Sequence, residues 1–219
     1  MLGFVGMRSA RIWVAAPQEC AIGVAVFIPG SKAPERIFTA NIQQNKGNSC
    51  IVDLEGLEPG TYYGYRVYVA DDNNSAEHIT NTFTTQELWQ YRKDAPDFRL
   101  ALGSCSFVNE PSYDRPGEPF GGEFHIFDTI VKKDPDLMLW LGDNIYLREV
   151  DFQSYGSVLH RYTHTRSQRE IQHLLQHCPN VAIWDDHDFG PNDSNGSFIH
   201  KDWTLEAFKN FWANPSYGL

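Results

Sequence analysis

Residues 181–192 read Val-Ala-Ile-Trp-Asp-Asp-His-Asp-Phe-Gly-Pro-Asn, an apolar run that stops abruptly at acid, acid, imidazole, acid. Val181, Ala182, Ile183 and Trp184 have the length and content of a buried strand. Asp185, Asp186, His187 and Asp188 then crowd oxygen donors and an imidazole into one turn of chain. Carboxylates packed this closely repel one another unless water, a cation or a hydrogen-bond donor intervenes. Gly190-Pro191-Asn192 is loop chemistry, so the cluster is expected at the C-terminal end of a strand, where open α/β sheets place their ligands.

Working back from this stretch, two more strand-like runs end in polar, chemistry-bearing residues. Residues 98–102 lead into Gly103-Ser104-Cys105-Ser106, and Leu137-Met-Leu-Trp-Leu141 leads into Gly142-Asp143-Asn144-Ile145-Tyr146. The second run is continuously apolar, which predicts the central strand of a parallel sheet rather than a half-exposed one. Between the strands, apolar residues recur at helical spacing. Phe124, Phe127, Ile130 and Val131 predict a helix over 122–133. Tyr155, Val158, Leu159 and Tyr162, then Ile171, Leu174, Leu175 and Cys178, predict two more before Pro179, and Leu205, Phe208, Phe211 and Trp212 mark a last one. Right-handed crossovers would bring all three strand ends to one edge. A thiol, carboxylates, an amide, a phenol and an imidazole would then face one crevice, a donor set suited to metal. Taken singly, each has a blander reading: Gly-Asp is a common turn, Cys105 a small buried hydrophobe, Asp185 a loop cap. Coincidence at three successive strand ends is what favours a site.

Residues 1–85 have a different character. Short strand-like segments at 9–15, 21–28, 36–39, 50–54, 61–69 and 79–84 are separated by turn signals such as Pro29-Gly30, Pro59-Gly60 and Asp71-Asp-Asn-Asn74. That pattern predicts an antiparallel β-sandwich. Residues 86–97 carry Trp89, Tyr91 and Pro96 without clear period and read as a linker packed between two parts. The expected fold class is therefore α+β: a sandwich over 1–85, a linker over 86–97 and a partial α/β domain over 98–219.

The 219 residues are 42% hydrophobic, enough for a packed core, and carry a formal charge of −10. That acidity argues against general affinity for nucleic acid, which rests on Lys and Arg, although bound metals would still let such a surface hold a phosphate. No segment is apolar for long enough to span a bilayer, and the opening eight residues are too short in their apolar part for a signal peptide. The four cysteines, Cys20, Cys50, Cys105 and Cys178, form no Cys-x-x-Cys unit, which removes zinc-ribbon and thioredoxin readings. Cys20 and Cys50 could pair in an oxidising compartment. His160 with His164, and His173 with His177, sit at i, i+4 but lack the acidic residue of His-Glu-x-x-His, so a solvated helix face is expected. Gly121-Gly122 precedes a helix without a dinucleotide or P-loop fingerprint, and Ser104 and Ser106 do not form a serine-hydrolase elbow.

Three motifs, Phe98-Arg-Leu-Ala-Leu-Gly-Ser-Cys-Ser106, Leu139-Trp-Leu-Gly-Asp-Asn-Ile-Tyr146 and Trp184-Asp-Asp-His-Asp188, resemble in order the N-terminal metal motifs of the alkaline phosphatase D group of metallophosphoesterases. In the sandwich, Leu57-Glu-Pro-Gly-Thr-Tyr-Tyr63 resembles the corner of fibronectin type III modules, with Tyr63 as the corner tyrosine, and the family carries a β domain in this place. The resemblance implies hydrolysis of a small-molecule phosphoester by metal-activated water. It implies Cys105 as the thiolate ligand of a ferric ion, Asp143 between two metals, Tyr146 as a further iron ligand, Asp186 serving the cluster and Asn192 on a second metal, calcium or another divalent ion such as zinc or manganese. His187, Asp186 and Arg148 would act on the phosphate, although Leu147 separates Arg148 from the tyrosine that such an arginine directly follows in some relatives. Family members also continue into a second half that supplies more ligands. The chain is therefore expected to be a truncated form with weak or no turnover, exposing a sheet edge and apolar helix faces at Phe208, Phe211 and Trp212, and prone to self-association. Two other readings stand beside this one. The first is a non-catalytic binding module with a vestigial crevice. The second is a cysteine hydrolase using Cys105 with His187, which the neighbouring carboxylates disfavour.

Overall fold

Alternation along each strand decides how the N-terminal layers close. The computed structural model describes residues 1–70, 79–120 and 122–218. Strand β1 (Leu2–Val5) pairs with β2 (Ser9–Ala15), and β2 with β5 (Ser49–Glu55), to give one antiparallel sheet. The second sheet has the order β4 (Arg36–Asn41), β3 (Ala21–Phe27), β6 (Tyr62–Val69), β7 (Ile79–Thr84), also antiparallel throughout. Every second residue, Ala10, Ile12 and Val14 on β2 and Ile22, Val24 and Val26 on β3, points into one core with Tyr63, Tyr65 and Val67 of β6. Tyr63 is buried, and its phenolic oxygen accepts the Glu58 backbone N–H at 3.0 Å, pinning the turn into β6. The expected turn at Asp71–Asn74 lies outside the described residues.

The α/β part holds three parallel strands in the order β10 (Asn180–Ile183), β9 (Leu137–Leu141), β8 (Leu100–Gly103). Helix α1 (His125–Lys132) links β8 to β9. Helices α2 (Tyr155–Arg166) and α3 (Arg169–His177) link β9 to β10. A one-turn α4 (Asp186–Phe189) and then α5 (Lys201–Phe211) follow. Ala101, Met138, Trp140 and Ala182 face the helices and pack with Phe127, Ile171 and Leu174.

The sequence did not signal β1, whose four residues carry no turn chemistry of their own. Its reason is tertiary: Phe4 donates its N–H to Ala213 O at 2.9 Å, and a Cβ on Gly3 would lie 2.3 Å from the Ala213 Cβ. Glycine is what lets the first strand lie against the segment after α5. Arg166 reinforces the junction. Its buried guanidinium lies 4.5 Å from the rings of both Trp13 on β2 and Trp212, and burial lowers its pKa to about 9.

Three expectations are corrected. Phe208, Phe211 and Trp212 do not form an open helix face. They are buried because α5 packs against α2 and the sandwich, with the Phe211 ring 4.7 Å from Tyr162 and 5.5 Å from Trp13. The uncovered apolar surface is instead the far side of the parallel sheet, where Leu102 is 58%, Ile183 54% and Leu141 38% exposed. Strand β9 is central, as its composition implies, but it is buried on one face only. Phe98, placed in a strand by its composition, precedes β8 and is exposed, and it lines a groove with Phe4, Trp89, Leu137 and Val181.

Candidate metal centre

The turn after β9 creates the site. Gly142 has φ +95°, and a Cβ there would fall 2.5 Å from the Asp185 Cβ and 3.0 Å from its backbone nitrogen. Only glycine allows the β9 and β10 ends to pass this closely. The next residue, Asp143, is left-handed at φ 50°, and so is Cys105 after β8 at φ 58°. Side chains other than glycine, asparagine and aspartate rarely occupy this region, and such strain concentrates at functional positions. Cys105 N–H donates to Gly142 O at 3.3 Å and Ser106 N–H to Asp143 O at 2.8 Å, so the first two strand ends are laced together.

The acid-rich run divides into folding and site residues. Asp185 caps α4, accepting from the Asp186 N–H at 2.9 Å, while Asp188 accepts in return from the Asp185 N–H at 3.1 Å. Asp188 is fully buried and also takes the backbone N–H groups of Asn144 and Ile145. Burial pushes its carboxyl up to about 7, although those hydrogen bonds pull the other way. Asn144 is buried too, with its amide donating to Ile183 O at 2.8 Å. Of the amide and the two or three further carboxylates expected at the crevice, Asn144, Asp185 and Asp188 are turned away on these contacts, Asp185 in the loop-capping role its position also allowed: they build the turn that aims their neighbours.

Those neighbours converge. One ligand atom from each of Asp143, Asp186 and His187 lies within 4.8 Å of the others, a cluster able to hold a metal ion. Asp143 Oδ2 accepts the Tyr146 hydroxyl at 3.1 Å and lies 3.6 Å from Cys105 Sγ, and Asp143 Oδ1 accepts the His187 N–H at 3.3 Å. The Tyr146 and His187 rings are 4.3 Å apart. Burial, the Cys105 hydrogen bond and the Asp143 charge together push the Tyr146 phenol well above its ordinary pKa. Carboxylates, imidazole, phenol and thiol suit a metal of mixed character, and this donor set fits such a group.

Asn192 and Arg148 sit differently. Asn192 is exposed, and its amide donates to Asp193 Oδ2 at 2.6 Å, while the Asp193 N–H bonds Asp186; it touches the cluster one residue removed. Arg148 is turned into the irregular segment between β8 and α1. Its Nε and Nη2 donate to Asp114 at 2.9 and 2.8 Å, Nη2 also to Val108 O at 2.8 Å, and Nη1 to Tyr146 O. Asp114 is separated from Arg148 by 34 positions, and nothing in the sequence signals that pairing. Nor does it signal Glu110, which takes the fully buried Arg161 at 2.7 Å and His160 at 3.0 Å. The histidine pairs are therefore not a bare solvated face: His173 bonds Asp128 at 2.9 Å and His177 lies 3.2 Å from Asp134. Cys20 and Cys50 are both free thiols.

A structure of PhoD superposes on 95% of the chain with a TM-score of 0.73 at 17% identity. The fold is similar to that of PhoD. A purple acid phosphatase, PPD1, isolated from yellow lupin (Lupinus luteus) seeds, superposes on 98% with a TM-score of 0.63 at 12% identity. At such identities the likeness establishes the fold and nothing finer. The chain spans 44% of the PhoD structure and 40% of the lupin enzyme. Residues 1–87 match the family model described as domain of unknown function DUF7800. No curated protein sequence matches the chain. Among the described residues no helix is long and apolar enough to cross a membrane.

Proposed function

We propose that the chain is the sandwich, linker (86–97) and first half of the catalytic domain of a metal-dependent phosphoester hydrolase of the PhoD kind. The observation that carries this reading is the convergence of Asp143, Asp186 and His187, with Tyr146 and Cys105 against Asp143, at the ends of parallel strands in a metallophosphoesterase-like fold. Cys105, Asp143, Tyr146 and Asp186 would hold the metals, iron with calcium or another divalent ion, and Asn192 would join them through the turn at Asp193. When bound, such ions supply Lewis acidity and a water of lowered pKa.

The chain's own residues have narrower tasks. Asp143 accepts from Tyr146 and from the His187 backbone at once, which fixes the separation of the two strand ends. The His187 ring, tilted against Tyr146 at 4.3 Å, would donate a hydrogen bond to a phosphoryl oxygen. Arg148 would serve the phosphate only by giving up Asp114, so its work in the arrangement described is to hold Tyr146 and the neighbouring loop. The open apolar face over β8, β9 and β10 needs cover, and we assign it to a second copy of the chain when no other sheet is present. Metal content of the purified chain, compared with that of the Asp143→Asn variant, tests the reading.

A further inference from the structure

We infer that the phosphoester taken by this site carries a planar aromatic ring on its alcohol side, received by Phe107 and Phe120; the inference rests on the phosphoester reading above. Four rings form a row leading outward from the acidic cluster. His187 and Tyr146 are 4.3 Å apart, Tyr146 and Phe107 5.1 Å, and Phe107 and Phe120 5.5 Å, the last pair edge to face. The inner members touch Asp143 through Tyr146 and the His187 backbone. The outer member, Phe120, is 45% exposed.

The row is anchored rather than loosely collapsed. Arg148 lies 4.3 Å over the Phe107 ring, and its nitrogens are held by Asp114, Val108 O and Tyr146 O, so Phe107 rests on a fixed plane. Arg115, itself exposed, stands 4.0 Å over Phe120 and adds a cation at the outer end. An aromatic residue kept half exposed at the outer end of a row that starts at the metal-ligand cluster leaves apolar area that a stacked ring would bury. A phosphoryl group held beside His187, on metal that Asp143 and Asp186 would bind, would direct its alcohol along this row. An aryl ring bonded through one oxygen would reach Phe107, and a ring on a sugar-length spacer, as in a nucleoside phosphate, would reach Phe120.

The test is calorimetric binding of non-hydrolysable phosphonates to the manganese-loaded chain, in two pairs: phenylphosphonate against methylphosphonate, and the phosphonate analogues of AMP against ribose 5-phosphate. Stacking predicts about a tenfold advantage for the ring-bearing member of at least one pair. Phe120→Ala should abolish the advantage for the AMP analogue and Phe107→Leu that for phenylphosphonate, with the ring-free members unchanged; Phe120→Trp should restore the former. Equal binding within both pairs, or an advantage that survives both variants, would overturn the aromatic shelf and leave the metallophosphoesterase reading intact. A chain that holds manganese and binds none of the four, or that holds neither manganese nor iron, calcium or zinc, would remove that reading and the shelf with it.

Discussion

The Tyr146 hydroxyl donates to Asp143 Oδ2 at 3.1 Å, joining two residues of one turn whose backbone is left-handed at Asp143. That bond holds the phenol over the carboxylate before any metal arrives. Tyr146→Phe should therefore keep the fold, with the melting temperature changed by no more than the loss of about one hydrogen bond, worth ~1 kcal/mol. Absorption or EPR of the iron-loaded chain would lose any phenolate-to-iron signal in the variant. An identical spectrum would count against Tyr146 as a ligand.

Asp114 and Arg148 form a nearly buried bidentate pair, with side chains 8% and 11% exposed. Removing one partner strands the other, so Asp114→Ala should destabilise the chain by roughly 3 kcal/mol in urea unfolding. Arg148→Met strands Asp114 in turn, but that carboxylate keeps the Glu110 N–H at 2.6 Å and can take up a proton, so the change should cost less than Asp114→Ala. The reverse order would mean that Arg148 works on something other than Asp114.

Acid should loosen the same loop. Burial would raise the carboxyls of Glu110 and Asp114, but hydrogen bonds and charge from His160, His164 and Arg161, and from Arg148, outweigh it and hold both below their ordinary values. A depressed folded-state pKa gives stability that is complete above the unfolded values of ~4 and is lost as pH falls through the lower folded values. Unfolding followed from pH 6 to pH 2 should show a steep loss below about pH 4. Glu110→Gln combined with Asp114→Asn should flatten that limb while lowering stability at neutral pH.

The bare sheet face predicts self-association. Light scattering should show a concentration-dependent dimer, and Leu102→Lys with Ile183→Lys should yield a monomer that is no less stable, since both positions are more than half exposed. A wild-type chain that stays monomeric at high concentration would refute the second copy as cover.

Tyr63 tests the sandwich alone. Tyr63→Phe leaves the Glu58 N–H without its acceptor and should cost on the order of 1–2 kcal/mol, without touching metal uptake.

The elements themselves were legible because their patterns are local. Period-two alternation gave β2, β3 and β6, and helical spacing gave α2, α3 and α5. The strand ends were legible through Gly142-Asp143 and Trp184-Asp-Asp-His187, where apolar runs break at donor residues. What the sequence hid depends on distant partners. Asp185 and Asp188 look the same as Asp186 in one dimension, and only the one-turn helix α4 separates cap and buried brace from site residue. The Arg148 to Asp114 bond, the burial of Phe211 against Trp13, and β1 against Ala213 likewise join segments with no shared pattern.

The most direct measurement is elemental analysis of the purified chain after incubation with iron, calcium, manganese or zinc and removal of free metal, alongside Asp143→Asn and Asp186→Asn variants shown to be folded by circular dichroism. Metal should be retained by the wild-type chain, released by chelator, and lost in both variants. A folded wild-type chain that retains no metal, or variants that retain as much as it does, would contradict the metal-centre reading.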